Sequence, residues 1–254
     1  MGLVDTATNI SICNEALGLL AATPIVLNTA STNRTYCETF FARAYKEILA
    51  GHFWNFATKR AYAVQTTDPL FGYDNAFTTP SDCIRAWVID DDREAEWKKV
   101  GTTIQTDRGD DPPAWADETA YIVGQYVTND DITYVCIVAH TAGDDDEEPG
   151  TGANEATYWT SQSGDYKILK TEYVYDQSDL SAWPDYVIQC VVYNLAIKLA
   201  PPIKQNEEAA VNFQKMLLDP KIGHLSLAKS SDAQESGGTQ FMSDTFINAR
   251  IRGI

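Results

Sequence analysis

Apolar side chains recur at helical spacing in two stretches near the start of the chain. Ile12, Ala16, Leu19 and Leu20 fall on one face and predict a helix over residues 9–22, capped by Thr8 or Asn9 and closed before Pro24. Tyr36, Phe40, Ala44 and Leu49, widened by Phe41, Tyr45 and Ile48, predict a second helix over 32–50, stopped by Gly51. The run from His52 to Ala57 is dense in rings and is expected to plug a corner of the core. The period then shortens to two. Arg60–Val64, Ala86–Ile89, Trp97–Gly101 with Thr102–Thr106, and Lys167–Tyr175 read as strands of a small sheet. Helix returns near Ser181, where Asp179 or Ser181 caps it and Pro184 suits its first turn. Its apolar positions, Val187 to Leu199, cover much of its circumference and mark it as the central helix, ended by Pro201-Pro202. A last helix, Gln205 to Leu218, uses Ala209, Phe213, Met216 and Leu217. The expected fold is α+β. It is mainly a bundle of four helices with a small antiparallel β appendage, plus an inserted small all-β module.

Charge locates the insertion. The chain has 36 acidic residues against 19 Lys and Arg, a formal charge of −17. From Gly109 to Tyr166 there are 13 acidic residues and no Lys or Arg. Such a break suggests a module with its own surface, and the other reading is one domain with a long acidic loop. Asp110-Asp111-Pro112-Pro113 forms a turn at its start, and Ser161–Asp165 is a polar exit. The parent domain is then discontinuous: residues 1–109 and 165–227, interrupted by 110–164. Within the insert, Gln125–Thr128 and Thr133–Ala139 read as two short strands joined by Asn129-Asp130-Asp131. So small a segment needs aromatic rings for much of its core. Residues 228–254 read as a flexible linker followed by an arm in which Phe241, Phe246, Ile247 and Ile254 accompany Arg250 and Arg252. That arm docks either on a neighbouring subunit or on its own domain.

Composition narrows the function. With 44% hydrophobic residues the chain is expected to fold. The acidic balance argues against a general duplex-DNA binder. No run of 18 apolar residues predicts a membrane span, and the N-terminus shows no secretory pattern. Five widely spaced cysteines without a CxxC read as reduced core residues of a cytosolic product. His52, His140 and His224 lack zinc-ligand spacing, and no phosphate-loop, HExxH or GxSxG motif is present. The run Asp144–Glu148 lacks the spacing of a calcium loop and reads as a solvated face. No catalytic residue, metal ligand or cofactor site is expected, and the chain reads as non-enzymatic.

Two resemblances go further. Ile12–Leu20 with Pro24-Ile25, Tyr45–Leu49, His52–Ala57 with Lys59-Arg60, Phe71-Gly72-Tyr73, Pro80–Arg85 and the stretch from Ala196 to Pro202 resemble, as an ordered set, the tail tubular protein A family of short-tailed bacteriophages. That resemblance implies a head-to-tail adaptor, or gatekeeper, in the virion neck, made in the host cytoplasm. Its implied partners are the portal protein, the tail nozzle protein and further copies of itself in a dodecameric ring. Genomic DNA would pass through the ring without sequence recognition and without membrane insertion. Phe241, Phe246, Ile247, Arg250, Arg252 and Ile254 become candidates for portal or inter-subunit contact. The insert is similar to small carbohydrate-binding modules of the chitin-binding type. The similarity rests on Ala114-Trp115, Thr119-Ala120-Tyr121, Gly124, Val127, Tyr134-Val135-Cys136, Ala139-His140-Thr141, Pro149-Gly150 and Tyr158-Trp159. It nominates Trp115, Tyr134 and Trp159 for contact with host glycan or protein. The expected function is a structural head-to-tail adaptor, with a tail-associated polysaccharide-binding or polysaccharide-degrading protein acting in host adsorption as the alternative.

Overall fold

A computed structural model describes residues 4–143, 147–162, 166–205 and 207–235. The chain starts with α1 (Ala7–Leu19) and α2 (Thr32–Ala50). Strands β1 (Thr58–Gln65), β2 (Asn75–Thr78), β3 (Cys83–Ile89), β4 (Lys98–Val100) and β5 (Thr103–Thr106) follow. The insert holds β6 (Ala120–Tyr121), β7 (Tyr126–Asn129), β8 (Ile132–Cys136), β9 (His140–Thr141), α3 (Glu155–Tyr158) and β10 (Trp159–Gln162). The chain then runs through β11 (Ile168–Tyr175), α4 (Asp185–Lys204), α5 (Glu207–Leu218) and α6 (His224–Glu235). Two compact units result. One contains the described residues up to Phe56 and from Gln177 onward, and the other is Ala57–Asp176. The sheet and the insert therefore share a unit.

In the helical unit, α1 begins earlier than its apolar stripe implies. Thr6 caps it by accepting from the Asn9 backbone N–H at 3.2 Å, so neither Thr8 nor Asn9 is the cap. Asn14 then holds the following loop, accepting from Ile25 N at 2.7 Å and donating to Ile25 O at 3.1 Å. Helix α2 has the expected bounds, with Ser31 as N-cap and Gly51 as C-cap. Helix α4 packs against α1, α2, α5 and α6. Its buried Asn194 donates to Ala44 O at 2.9 Å and to Glu47 at 3.1 Å. Pro201 and Pro202 lie inside its last turn and do not end it. Each proline loses a donor, but Pro201 O still accepts from Gln205 N at 3.0 Å, with Gln205 in the left-handed region.

The four-helix expectation is corrected: six helices form among the described residues, five of them here and α3 in the insert. Two helices were missed, the four-residue α3 and α6, and α6 occupies much of the segment read as linker. Only Ala228 and Asp232, one turn apart, are buried on it. Asp232 makes the contact that holds it. Its Oδ1 accepts from Asn55 N at 2.9 Å and its Oδ2 from His52 Nε2 at 3.1 Å, while Asn55 Nδ2 donates to its carbonyl at 2.7 Å. Trp54, fully buried, donates to Ile48 O at 2.9 Å. The aromatic block thus seals the helical unit at α6.

The small β appendage is corrected as well. Six antiparallel strands in the order β3-β11-β1-β2-β5-β4 curl into a nearly closed barrel. Ala63, Phe77, Ala86, Ile89, Ile104 and Leu169, from five of these strands, form one core. The edges approach each other, with Lys99 Nζ of β4 4.0 Å from Cys83 Sγ of β3. The insert leaves between β5 and β11. Asp110 and Ile168 exchange two backbone hydrogen bonds, at 2.9 and 2.8 Å, and clamp its ends side by side. Inside it are five strands where two were expected, in sheets β10-β8-β7 and β6-β9. The β7–β8 hairpin turns through Asp130 and Asp131, both with positive φ. Phe241, Phe246, Ile247, Arg250, Arg252 and Ile254 lie outside the described residues, as do Asp144, Asp145 and Asp146.

Two carboxylates make each unit acid-sensitive. Burial works to raise Asp82, but Lys59 Nζ at 2.9 Å and the Tyr173 hydroxyl at 3.0 Å outweigh it and hold the carboxyl below its usual value. For Glu47, burial is likewise outweighed by Lys198 Nζ at 2.6 Å and by Asn194. A depressed carboxyl contributes stability above its ordinary value and loses it as pH falls through the folded value. Stability is expected to decline below about pH 4. A chain carrying Asp82→Asn and Glu47→Gln should decline less steeply. Acid titration followed by circular dichroism reads both slopes, and equal slopes would acquit these two groups.

Candidate functional site

The insert has a core of Tyr121, Val127, Tyr134, Cys136, Ala142 and Trp159, with Trp115 and Tyr158 packed against it. Alternation in β8 places Tyr134 and Cys136 on the same inner face. Trp159 begins β10, is 3% exposed and donates to Glu147 O at 2.8 Å. Tyr134 is 6% exposed. Its ring covers Gly150, whose φ is +91° and where a Cβ would sit 2.4 Å from the phenol oxygen. Burial, then Glu155 and Asp130, push the Tyr134 phenol up. Tyr121 ties the start of the insert, donating to Ala116 O at 3.0 Å and accepting from Ala116 N at 2.8 Å.

His140 lies among the rings of Tyr158, Trp159 and Tyr121, at centroid distances of 4.3, 5.2 and 5.8 Å. Its Nδ1 donates to Val138 O at 2.9 Å, which fixes the tautomer. Nε2 is buried without a hydrogen-bond partner among the described residues. Among those residues no group of three or more His, Cys, Asp and Glu could hold a metal ion.

The three nominated rings therefore do not form one platform. Tyr134 and Trp159 come together as core. Trp115 is half-buried, and its Nε1 is enclosed without a partner among the described residues. Neither Tyr134 nor Trp159 presents a free face of the kind that stacks on a sugar, whereas Trp115 is half-buried at the edge of this core.

A second surface lies nearby. A groove of about 600 Å³ runs between the segment Ile122–Tyr126 and the outer face of β1 and β11. Strand register builds one wall. Tyr62 stands opposite Lys170, and Arg60 opposite Glu172, as cross-strand pairs. Arg60 Nη2 lies 3.8 Å from Glu172 Oε1. The other wall is a tight turn in which Gly124, at φ +87°, donates to Cys136 O at 2.8 Å and Gln125 N to Ile122 O at 3.1 Å. That turn leaves Ile122 and Val123 67% and 63% exposed. Tyr126 closes one side, edge-on to Tyr62 at 6.2 Å. Burial pushes its phenol up. Sequence reasoning missed these residues. The available signal was the alternation Arg60, Tyr62, Val64 opposite Ala61 and Ala63, which puts a ring and a charge together on the outer face.

Residues 114–160 match carbohydrate-binding module family 5/12. The chain thus carries a carbohydrate-binding module of this type, and that segment includes the Ile122–Tyr126 wall of the groove. Comparison with curated proteins finds no match.

Proposed function

We propose that this protein is a non-catalytic polysaccharide binder whose module, residues 114–160, engages a host-surface glycan. The observation that supports the reading is the family 5/12 match to a segment with its own aromatic core, clamped at both ends by Asp110 and Ile168. The test is retention of the full chain on insoluble chitin, cellulose and bacterial surface polysaccharide. A chain in which a short Gly-Ser linker replaces 111–165 should stay in the supernatant and keep its remaining circular-dichroism signal. Equal retention of the two chains, or no retention of the full chain on any of these, would overturn the proposal.

A second reading concerns the framework that carries the module. The block His52–Ala57 contributes much of the resemblance to phage adaptors, and it seals the helical unit through Trp54 and Asn55. The resemblance alone carries this reading, that of a head-to-tail adaptor that bears a glycan-binding insert. On this reading the chain joins portal protein to tail nozzle protein in a dodecameric ring around passing DNA, in the virion neck. Electron microscopy of the chain mixed with its cognate portal is expected to show a twelve-fold ring beneath the portal. Absence of added density there would remove the adaptor reading and leave the glycan reading intact.

A further inference from the structure

We infer that the saccharide subsite is the groove between the module and the outer face of β1 and β11, and that it takes an uncharged saccharide. The inference rests on the polysaccharide-binding reading and goes beyond it by assigning half of the site to the framework. Four observations converge.

Three of the module's rings, Tyr121, Tyr134 and Trp159, are buried in its core, and Trp115 and Tyr158 are half-buried against it. Its outward apolar surface along the groove is instead Ile122 and Val123, held proud by the turn at Gly124. Facing them, Tyr62 with Lys170 and Arg60 with Glu172 surround an aromatic surface with donors and acceptors. A pyranose needs this combination, since its C–H faces pack on apolar surface while its equatorial hydroxyls hydrogen-bond around the rim.

Charge selects among saccharides. Arg60 and Lys170 are balanced by Asp91 and Glu172 in the lining. A uronic or sulfated polymer would set its charge against the two carboxylates, and a polyamine against the two cations. The volume of about 600 Å³ lies within the roughly 300–1,000 Å³ typical of small-ligand sites. A peptide strand fits less well. Strand addition requires a free sheet edge, and both β1 and β11 are interior strands with partners on each side. The groove therefore offers side chains and no unpaired backbone ladder.

The experiment uses the full chain and a soluble hexasaccharide of N-acetylglucosamine, with cellohexaose in parallel, by titration calorimetry. The variants Tyr62→Ala and Arg60→Ala with Lys170→Ala lie outside the segment matched to the carbohydrate-binding family. The Arg60 and Lys170 side chains are exposed, so their truncation should leave the melting temperature unchanged even where Tyr62→Ala disturbs folding. Loss of affinity by on the order of tenfold for the double variant, with intact melting, is the expected result. Wild-type binding retained within about twofold by the double variant would overturn the groove while leaving the module reading in place. No binding of either oligosaccharide by the wild type would remove the groove as the uncharged-saccharide site, and retention on polymer would then show whether the module reading survives. Concentration-dependent self-association of the wild type, abolished by the same substitutions, would assign the groove to a second copy and also overturn it.

Discussion

Asp232→Ala is expected to lower the stability of the helical unit by about 1–3 kcal/mol, the usual cost of removing a buried hydrogen-bonding partner. The residue is 2% exposed and receives donors from two directions, His52 Nε2 and Asn55 N. Truncation removes the acceptor that both donors share, while the exposed Asn55 and the half-buried His52 still reach solvent. For a chain of this size such a loss corresponds to a fall in melting temperature on the order of 5 °C. Asp232→Asn should be milder, since an amide oxygen still accepts from Asn55 N and the amide nitrogen can face a neutral His52. Calorimetry orders the two variants. If alanine and asparagine cost the same, the carboxylate does not hold α6 in the way its contacts indicate.

The second large effect is expected at Gly109, on the threshold of the insert. Its φ is +144°, and an added Cβ would lie 2.5 Å from Phe77 Cζ in the core of the sheet. Gly109→Ala carries two costs: about 1–3 kcal/mol for overpacking against a fully buried ring, and about as much for the backbone region. The neighbouring Asp110–Ile168 clamp should loosen with it. Gly101 provides the comparison without a clash, because its φ of +58° lies in the milder left-handed helical region and nothing lies within 4 Å of its Cβ position. Gly101→Ala should therefore carry the backbone cost alone. Hydrogen exchange at the Asp110 and Ile168 amides, together with melting, separates the two. Equal losses at the two glycines would mean that Phe77 yields freely and that the backbone at Gly109 relaxes.

Legibility followed the range of the interactions. Helix α2 could be bounded to the residue because Ser31, Gly51 and the apolar stripe between them are all local. Strand β11 was equally plain. The barrel was underestimated because β2, β4 and β5 are three or four residues long, too short for a period to register. The long partner of β1 also arrives only after the insert. Helix α6 was hidden by its composition, since a single buried acid anchors a Ser-rich, weakly amphipathic segment through partners near residue 55. The candidate rings were recognisable by type but not by direction. Only the pleat, which sets Tyr134 beside Cys136, shows that Tyr134 faces inward. The groove depends on the register of Tyr62 with Lys170, more than 100 residues away, and no local pattern encodes that pairing.

The reciprocal bonds between Asp110 and Ile168 also have a mechanical meaning. Because the two legs of the insert emerge side by side, tension on a bound module draws both in the same direction and does not prise them apart. The load divides between β5 and β11, each already laced to a neighbour on the sheet. Under a strong pull the insert should unravel first and pay out slack.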